Sequence, residues 1–453
     1  MPEVVESVAG SPAVFRTVLA NRDLRRVVYA FAGFNMAEWA TWVAILVFAF
    51  GRGGATEVGV VAVAQLVPAA IAAPVASVLG DRYRRDRVLL VGYLAQAAAM
   101  AAAAAALLGK APVPLVYTFA ALTTTTFTVT RPVQGALLPS LARTPVELIA
   151  ANVAGGTVES ASFLAGPAVA GVILGLSQPG MVFVAMAALV MLSAASVARL
   201  SVPETREHTH EFSLRAMAHD TGEGFRTLAT ESRPRLVVGL LAAQSVVLGA
   251  LDVLMVALAL GVLKLSTAWP AYFDAALGAG GVIGSLAGLL LVGRRRLSIP
   301  LALGVIILGL PVAALGLAPA AALGLALFVV AGAGRVLMEI SGRTLLQRIV
   351  SDQFLARIFG ILEGLYTAGL AAGAALATAL VALFGVPGGL VAAGAVLPIL
   401  ALAAWRKLAH IDAEALVPAR ELEILRGEGM FAPLPAPVIE RLAGALVPVL
   451  VSA

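Results

Sequence analysis

Cysteine is absent from the 453 residues, and charge is scarce, with Asp, Glu, Lys and Arg together making up 13%. The first absence excludes a disulfide framework, a thiolate nucleophile, an iron–sulfur cluster and a Cys-ligated zinc site. The histidines, with His208, His210 and His219 in one polar stretch, offer little for metal chemistry. The shortage of charge is more restrictive. A soluble domain carries roughly 25% charged residues, so this chain cannot cover a globular surface in water, and a water-soluble enzyme is excluded. Also missing are a Gly-x-x-x-x-Gly-Lys-Ser/Thr phosphate loop, a nucleophile elbow and a His/Glu metal pattern. Neither ATP-driven transport nor catalysis is expected, and no cofactor is. The first 26 residues include Glu3, Glu6 and Asp23 and lack a basic start followed by an apolar core, so no cleavable signal peptide is expected and the first span would serve as an uncleaved one.

What is present is apolar: 60% of residues are hydrophobic and the mean hydropathy is +0.96. In lipid only α-helices or closed barrels satisfy their backbone groups. Barrel strands alternate apolar and polar residues, whereas here long apolar runs follow one another, so the expected class is an all-α membrane protein. A span needs about 20 apolar residues, and about twelve can be placed on that ruler, near 27–50, 56–79, 88–109, 112–138, 151–176, 180–200, 235–262, 268–292, 298–318, 319–346, 356–384 and 387–408. With a cytoplasmic N-terminus, the outer loops hold only Arg52, Lys110 and Lys264. The inner ones hold Arg82, Arg84, Arg85 and Arg87, the stretch from Arg199 to Arg235, and Arg294 to Arg296. That asymmetry predicts a multi-pass protein of the cell membrane with both termini cytoplasmic. It also accounts for most of the formal charge of +5, so no nucleic-acid partner is expected. The expected partners are the lipid bilayer, a small-molecule substrate and protons, with the chain acting as a monomer.

The long polar connection from Ser201 to Pro234 divides the spans six and six. The expected organisation is a cytoplasmic segment at 1–26, a six-helix bundle at 27–200, a linker at 201–234, a second six-helix bundle at 235–409 and a cytoplasmic tail at 410–453. Phe212, Leu214, Met217, Phe225 and Leu228 predict an amphipathic linker helix on the inner leaflet. A shift of 208 residues brings the halves into partial register, Leu137-Leu138 onto Leu345-Leu346 and Gly156 onto Gly364. Two related halves with a site between them is a transporter arrangement.

Ionisable residues inside spans mark function or a buried partner. Span 4 carries Thr124, Thr128, Arg131 and Gln134 on one helical face. Arg131 lies about 12 Å from the inner end at 1.5 Å per residue; it either faces a partner or snorkels to the surface. Glu159 in span 5 sits at the same depth, so an Arg131–Glu159 ion pair is predicted, either permanent or broken during transport. Glu38 lies about 17 Å into span 1, beside Asn35, Thr41 and Trp42, and is the leading candidate for protonation. Asp252 in span 7 is the second; for both, a hydrogen bond to a neighbouring helix is the structural alternative. Arg335, Glu339 and Arg343 form a charged stripe in span 10, with Glu363 at comparable depth in span 11, and internal neutralisation could make that group structural. Asn35, Trp42, Thr128, Gln134, Gln244, Arg335 and Glu339 are expected to line the cavity.

The turn Gly80-Asp81-Arg82-Tyr83-Arg84-Arg85 after span 2 resembles the signature of the major facilitator superfamily, with Asp81, Arg82 and Arg85 in the matching places. Ser77 and Arg84 stand where that signature has glycines, a departure similar to the branch of macrolide and siderophore exporters. Arg131-Pro132-Val133-Gln134-Gly135 resembles the family's Arg-x-x-Gln-Gly pattern. Gly166-Pro167-Ala168-Val169-Ala170-Gly171 resembles the Gly-Pro-x-x-Gly-Gly motif of drug/proton antiporters. The resemblance implies two six-helix bundles rocking about a midplane cavity, and proton-coupled efflux of hydrophobic or amphipathic molecules. Glu38, Arg131, Glu159 and Asp252 would couple protons, and Asp81, Arg82, Arg85, Gly166, Pro167 and Glu363 would gate. A transporter-like sensor, a uniporter and a lipid transporter remain open alternatives. The tail, with Glu421-Leu-Glu-Ile-Leu-Arg426 and Met430 to Ala443, resembles the helical lead-in of cyclic-nucleotide-binding domains. It lacks that family's phosphate-binding cassette, so no cyclic nucleotide is expected to bind; a truncated fusion and an amphipathic or ordinary polar tail are both open.

Overall fold

The computed structural model describes residues 12–200, 228–289, 296–350 and 352–414, with isolated positions at 222, 225–226 and between 424 and 446. Most of the expected linker helix and of the tail lies outside the described residues. So do the side chains of Asp81 and Arg82, whose backbone is helical.

The described chain is helical, with no strand among the described residues. A short helix α1 (Pro12–Ala20) precedes α2 (Arg22–Arg82), α3 (Arg85–Leu108), α4 (Val113–Leu141), α5 (Pro145–Leu176) and α6 (Pro179–Val197). Then come α7 (Ser232–Val256), which runs into one π-helical turn (Ala257–Val262), α8 (Trp269–Leu289), α9 (Ser298–Leu317), α10 (Ala321–Ile349) and α11 (Asp352–Glu414). Among the described residues, nine helices are long and apolar enough to cross a membrane. Two of them are broken. α2 leaves helical geometry at Gly53 and Gly54, and α11 at Gly385; Gly54 and Gly385 have φ of 63° and 68°, a region that only glycine enters without cost. Proline opens α5 and α6 in the first turn, where its missing N–H has no helical partner to lose.

Helices α2 to α6 pack on one another, as do α7 to α11, and the two sets touch mainly through α5 against α8 and α2 against α11. Lipid tails are as apolar as leucine, so helices in a membrane are held by close packing of small residues rather than by hydrophobicity. The second set shows this reciprocally. A Cβ at Gly304 of α9 would lie 2.9 Å from the Gly334 carbonyl oxygen of α10, and one at Gly334 would lie 2.9 Å from the Gly304 carbonyl oxygen. The backbones meet with no side chain between them. Gly394 and Gly309 make the same kind of contact between α11 and α9.

The two sets converge at the end where α2 and α11 break. There Thr267 donates to the Leu174 carbonyl at 2.9 Å, Gly59 sits against Ala374 and Thr378, and Gly171 packs on Tyr272. Toward the opposite end they part: a Cβ at Gly135, Gly155, Gly156, Gly360 or Gly364 would meet nothing within 4 Å. A cavity therefore opens toward the α4–α5 turn and is closed at the other end.

At the open end α1 is tied to that turn through Asn21, which is 2% exposed. Its amide donates to the Leu141 carbonyl at 3.2 Å and to Glu147 at 2.8 Å. Thr144 caps α5 by accepting from the Glu147 N–H at 3.1 Å, while the Glu147 carboxylate accepts from the Arg143 N–H at 2.9 Å. Burial pushes the Glu147 carboxyl up, but the hydrogen bonds from Arg143 and Asn21 outweigh it and hold the group below its ordinary value.

Two outcomes follow from these contacts. Gly334→Val should lower the unfolding midpoint in detergent by the equivalent of about 1–3 kcal/mol of overpacking, whereas Gly155→Val, facing open space, should leave it unchanged; equal midpoints for the two would disprove the backbone contact. Because the folded-state pKa of Glu147 is depressed, its contribution is present above the ordinary carboxylate pKa of about 4.3 and lost as pH falls through the folded value. Wild type should therefore melt above Glu147→Gln at pH 7, with the gap closing in acid; a gap independent of pH would exclude the linkage.

Candidate functional site

Three arginines inside the helical body organise the charged residues. Arg131 of α4 reaches across to the first part of α2, where Asn35 and Glu38 lie one turn apart. One guanidinium nitrogen donates to Glu38 at 2.7 Å and to the Asn35 side-chain oxygen at 3.2 Å. The other donates to Glu159 of α5 at 2.5 Å. Asn35 is fully buried and donates its own amide to the Phe31 carbonyl at 2.9 Å, which turns its oxygen toward the arginine. The guanidinium also lies over the Phe34 ring, 5.7 Å from its centroid. The Glu38 side chain is 25% exposed and that of Glu159 47%, so Glu159 is the carboxylate turned further into the open cavity. The structure thus places Arg131 against Glu159, as depth counting predicts, and adds Glu38 as a second partner that the sequence did not reveal.

The second set lies in α10 and α11. Arg343 pairs with Glu339 one turn before it at 3.3 Å and with Glu363 at 2.7 Å. Arg335 leaves the stripe that its spacing suggests. Its guanidinium lies over the Phe163 ring of α5, 4.4 Å from the centroid, and its Nε is buried without a hydrogen-bond partner. Gln244 of α7 donates to the Arg335 carbonyl at 3.1 Å, fixing α7 to α10.

The third set surrounds a cleft near the closed end, lined by Trp42, Asp252, Met255, Val256, Pro270 and Asp274 among others. Asp252 of α7 takes a hydrogen bond from the Trp42 side chain, and Asp274 of α8 and Arg335 stand close enough to act on its charge. Asp274 was not among the sequence-derived candidates. An acid six residues into an apolar span is itself a signal, but its nearness to the outer end makes it read as a loop edge. Tyr366 of α11, also missed, lies within electrostatic reach of Arg335, Glu339, Asp252 and Arg131, where the three sets converge.

Other expected residues take quieter positions. The Thr128 hydroxyl donates to the Thr125 carbonyl of its own helix at 2.7 Å. Gln134 is buried, and its side-chain oxygen has no partner. Gly166, next to Pro167, admits the α2 backbone: a Cβ there would lie 2.8 Å from the Met36 carbonyl oxygen. Arg85 opens α3, half-buried.

Residues 27–323, more than half of the chain, match the Major Facilitator Superfamily, and the chain belongs to that superfamily. The solved structures similar to it include a POT family transporter in complex with 5-aminolevulinic acid, at 12% identity and a TM-score of 0.67, covering 86% of this chain and 97% of that one. The nucleoside transporter NupG is similar at 12% identity and a TM-score of 0.67, covering 86% and 100%. A bacterial homologue of the human lysosomal transporter Spinster, in an inward-facing and unoccupied conformation, matches at 12% identity and a TM-score of 0.65, covering 86% and 98%. At these identities the likeness concerns the fold. No curated protein matches the chain. The protein is a multi-pass membrane transporter by family and fold rather than an enzyme.

Removing Arg131 strands two carboxylates, whereas removing Glu159 leaves the Glu38 pair in place. Arg131→Ala should cost on the order of 1–3 kcal/mol and Glu159→Ala under about 1 kcal/mol, given the partial exposure of the site. Unfolding midpoints in detergent would decide this, and equal losses would remove Glu38 as the firmer partner.

Proposed function

We propose that the chain is a secondary active transporter that exports hydrophobic or amphipathic small molecules in exchange for protons, by alternating access. The observation that carries this reading is Arg131 held between Glu38 and Glu159 beside a cavity open at one end. One guanidinium cannot neutralise two carboxylates, so the set has room for one proton. A proton on Glu38 weakens its ion pair and leaves Arg131 to Glu159; loss of that proton restores it. The two arrangements link different helix pairs, α2–α4 and α4–α5, and a two-state element of this kind couples proton loading to helix movement.

In this reading Glu38 loads the proton, and Arg131 and Glu159 respond to it. Asp252 and Glu339 set the cavity charge, and Gly166, Pro167 and Glu363 gate. Asp81, Arg82 and Arg85 latch the inner side, as the resemblance to the drug and siderophore exporters implies. The nine candidate spans, two of them broken in the middle, together with α8, support twelve spans in bundles at 27–200 and 235–409. The asymmetry of Lys and Arg supports cytoplasmic termini and placement in the cell membrane, and the chain is taken to act as a monomer.

Proteoliposomes carrying a pH-sensitive dye test the reading. Adding macrolides, lysolipids or lipophilic cations to wild type should drive proton counterflow, and Glu38→Gln should reduce it at least tenfold while substrate binding persists. Substrate movement without proton flux would replace the antiporter by a uniporter or lipid transporter.

A further inference from the structure

The charge balance of the interior points beyond proton coupling to what the cavity holds. Each of the three arginine sets contains two carboxylates: Glu38 and Glu159 with Arg131, Glu339 and Glu363 with Arg343, and Asp252 and Asp274 with Arg335. The first two arginines make ion pairs with both of their acids. The third does not: Arg335 is seated on the Phe163 ring and forms no salt bridge with Asp252 or Asp274. Asp274 is 5% exposed, lines the cleft, and makes no hydrogen bond or ion pair with any described residue. A carboxylate so buried and unpartnered is costly unless a positive charge completes its surroundings.

The rest of the cleft says what kind of positive charge fits. Its other walls are Met255, Val256, Pro270 and the Trp42 ring. A hydrated metal ion needs about six oxygen ligands, and among the described residues no group of three His, Asp or Glu is placed to hold one. An organic ammonium needs only counter-charge, apolar contact and, at best, an aromatic face. The cleft encloses about 220 Å³ of empty space, below the roughly 300–1,000 Å³ of pockets that take a whole drug-sized ligand. It suits a head group, with the remainder of the molecule lying in the open cavity below.

We infer that Asp252 and Asp274, with Trp42, form a binding site for the cationic head of an organic ammonium compound, which makes amphipathic cations the substrate class. This assignment rests on the transport reading for its purpose, though not for its geometry. Asp252 and Asp274 supply the counter-charge and Trp42 the ring. The site sits just below the contact that closes the far end, where a substrate entering from the open end would stop.

The test uses the full chain in lipid nanodiscs, titrated calorimetrically with benzyltrimethylammonium, and with benzyl alcohol and phenylacetate as uncharged and anionic controls. The cation should bind, with neither control competing. Asp274→Asn and Asp252→Asn should each weaken it at least tenfold, and Trp42→Leu several-fold. Asp274→Asn should also raise the unfolding midpoint of the unliganded protein, since it removes an unpaired buried charge; this separates loss of a ligand from loss of the fold. Competition by benzyl alcohol as strong as by the cation itself, in wild type alone, would overturn the site, as would unchanged affinity in both aspartate variants. Aspartate-dependent cation binding without movement in proteoliposomes would end the transport reading and leave the site standing. Transport of other molecules with no cation binding would do the reverse.

Discussion

An arginine in an apolar interior must find anionic or aromatic company, and the way three arginines do so determines much of this molecule. Arg131 draws α2, α4 and α5 together through Glu38, Asn35 and Glu159. Arg343 binds α10 to α11 through Glu363. Arg335 spans the divide between the two helix sets by resting on Phe163. In a bilayer, where the hydrophobic effect does not favour one helix packing over another, such polar contacts specify which helices are neighbours.

Against those directional contacts stand the non-directional ones. Paired glycines lock α9, α10 and α11 at backbone contact, which makes the second set stiff as a unit. The interface between the sets is smaller and is concentrated at one end, through Gly59, Gly171 and Thr267. Stiff bodies joined by a narrow seam rotate more readily than they deform. The charged sets lie at and below that seam, where such a rotation would change their surroundings most.

Much of this was legible in the sequence, for reasons that differ by residue. The spans could be read because lipid demands long apolar runs and the helical rise fixes their length. Depth along a helix follows from the same rise, so Arg131 and Glu159 could be placed at one level. Rotation about the helix axis does not follow from it. That Glu38 turns toward Arg131, completing a three-member set, depends on how α2 and α4 pack. Arg335 shows the complementary failure: spacing puts it on one stripe with Glu339, but an aromatic ring 172 positions away in the chain holds it elsewhere. Asp274 carried a visible signal, an acid within an apolar run, yet its meaning came only from the neighbouring helix that brings Asp252 and Trp42 to the same cleft.

The connections at the closed end are short: residues 109–112, 177–178, 263–268 and 318–320, together with the breaks at Gly53–Gly54 and Gly385. Two are tight enough that Lys110 and Lys264 take φ of 53°, a left-handed turn unusual for a side chain of that size. A protease needs several residues of extended, mobile backbone to cut, and an antibody needs a protruding loop. That face presents neither, so a binder or inhibitor approaching from it would have to recognise helix ends and lysine side chains, and an inserted tag there would strain the hairpins that hold the bundle's rim.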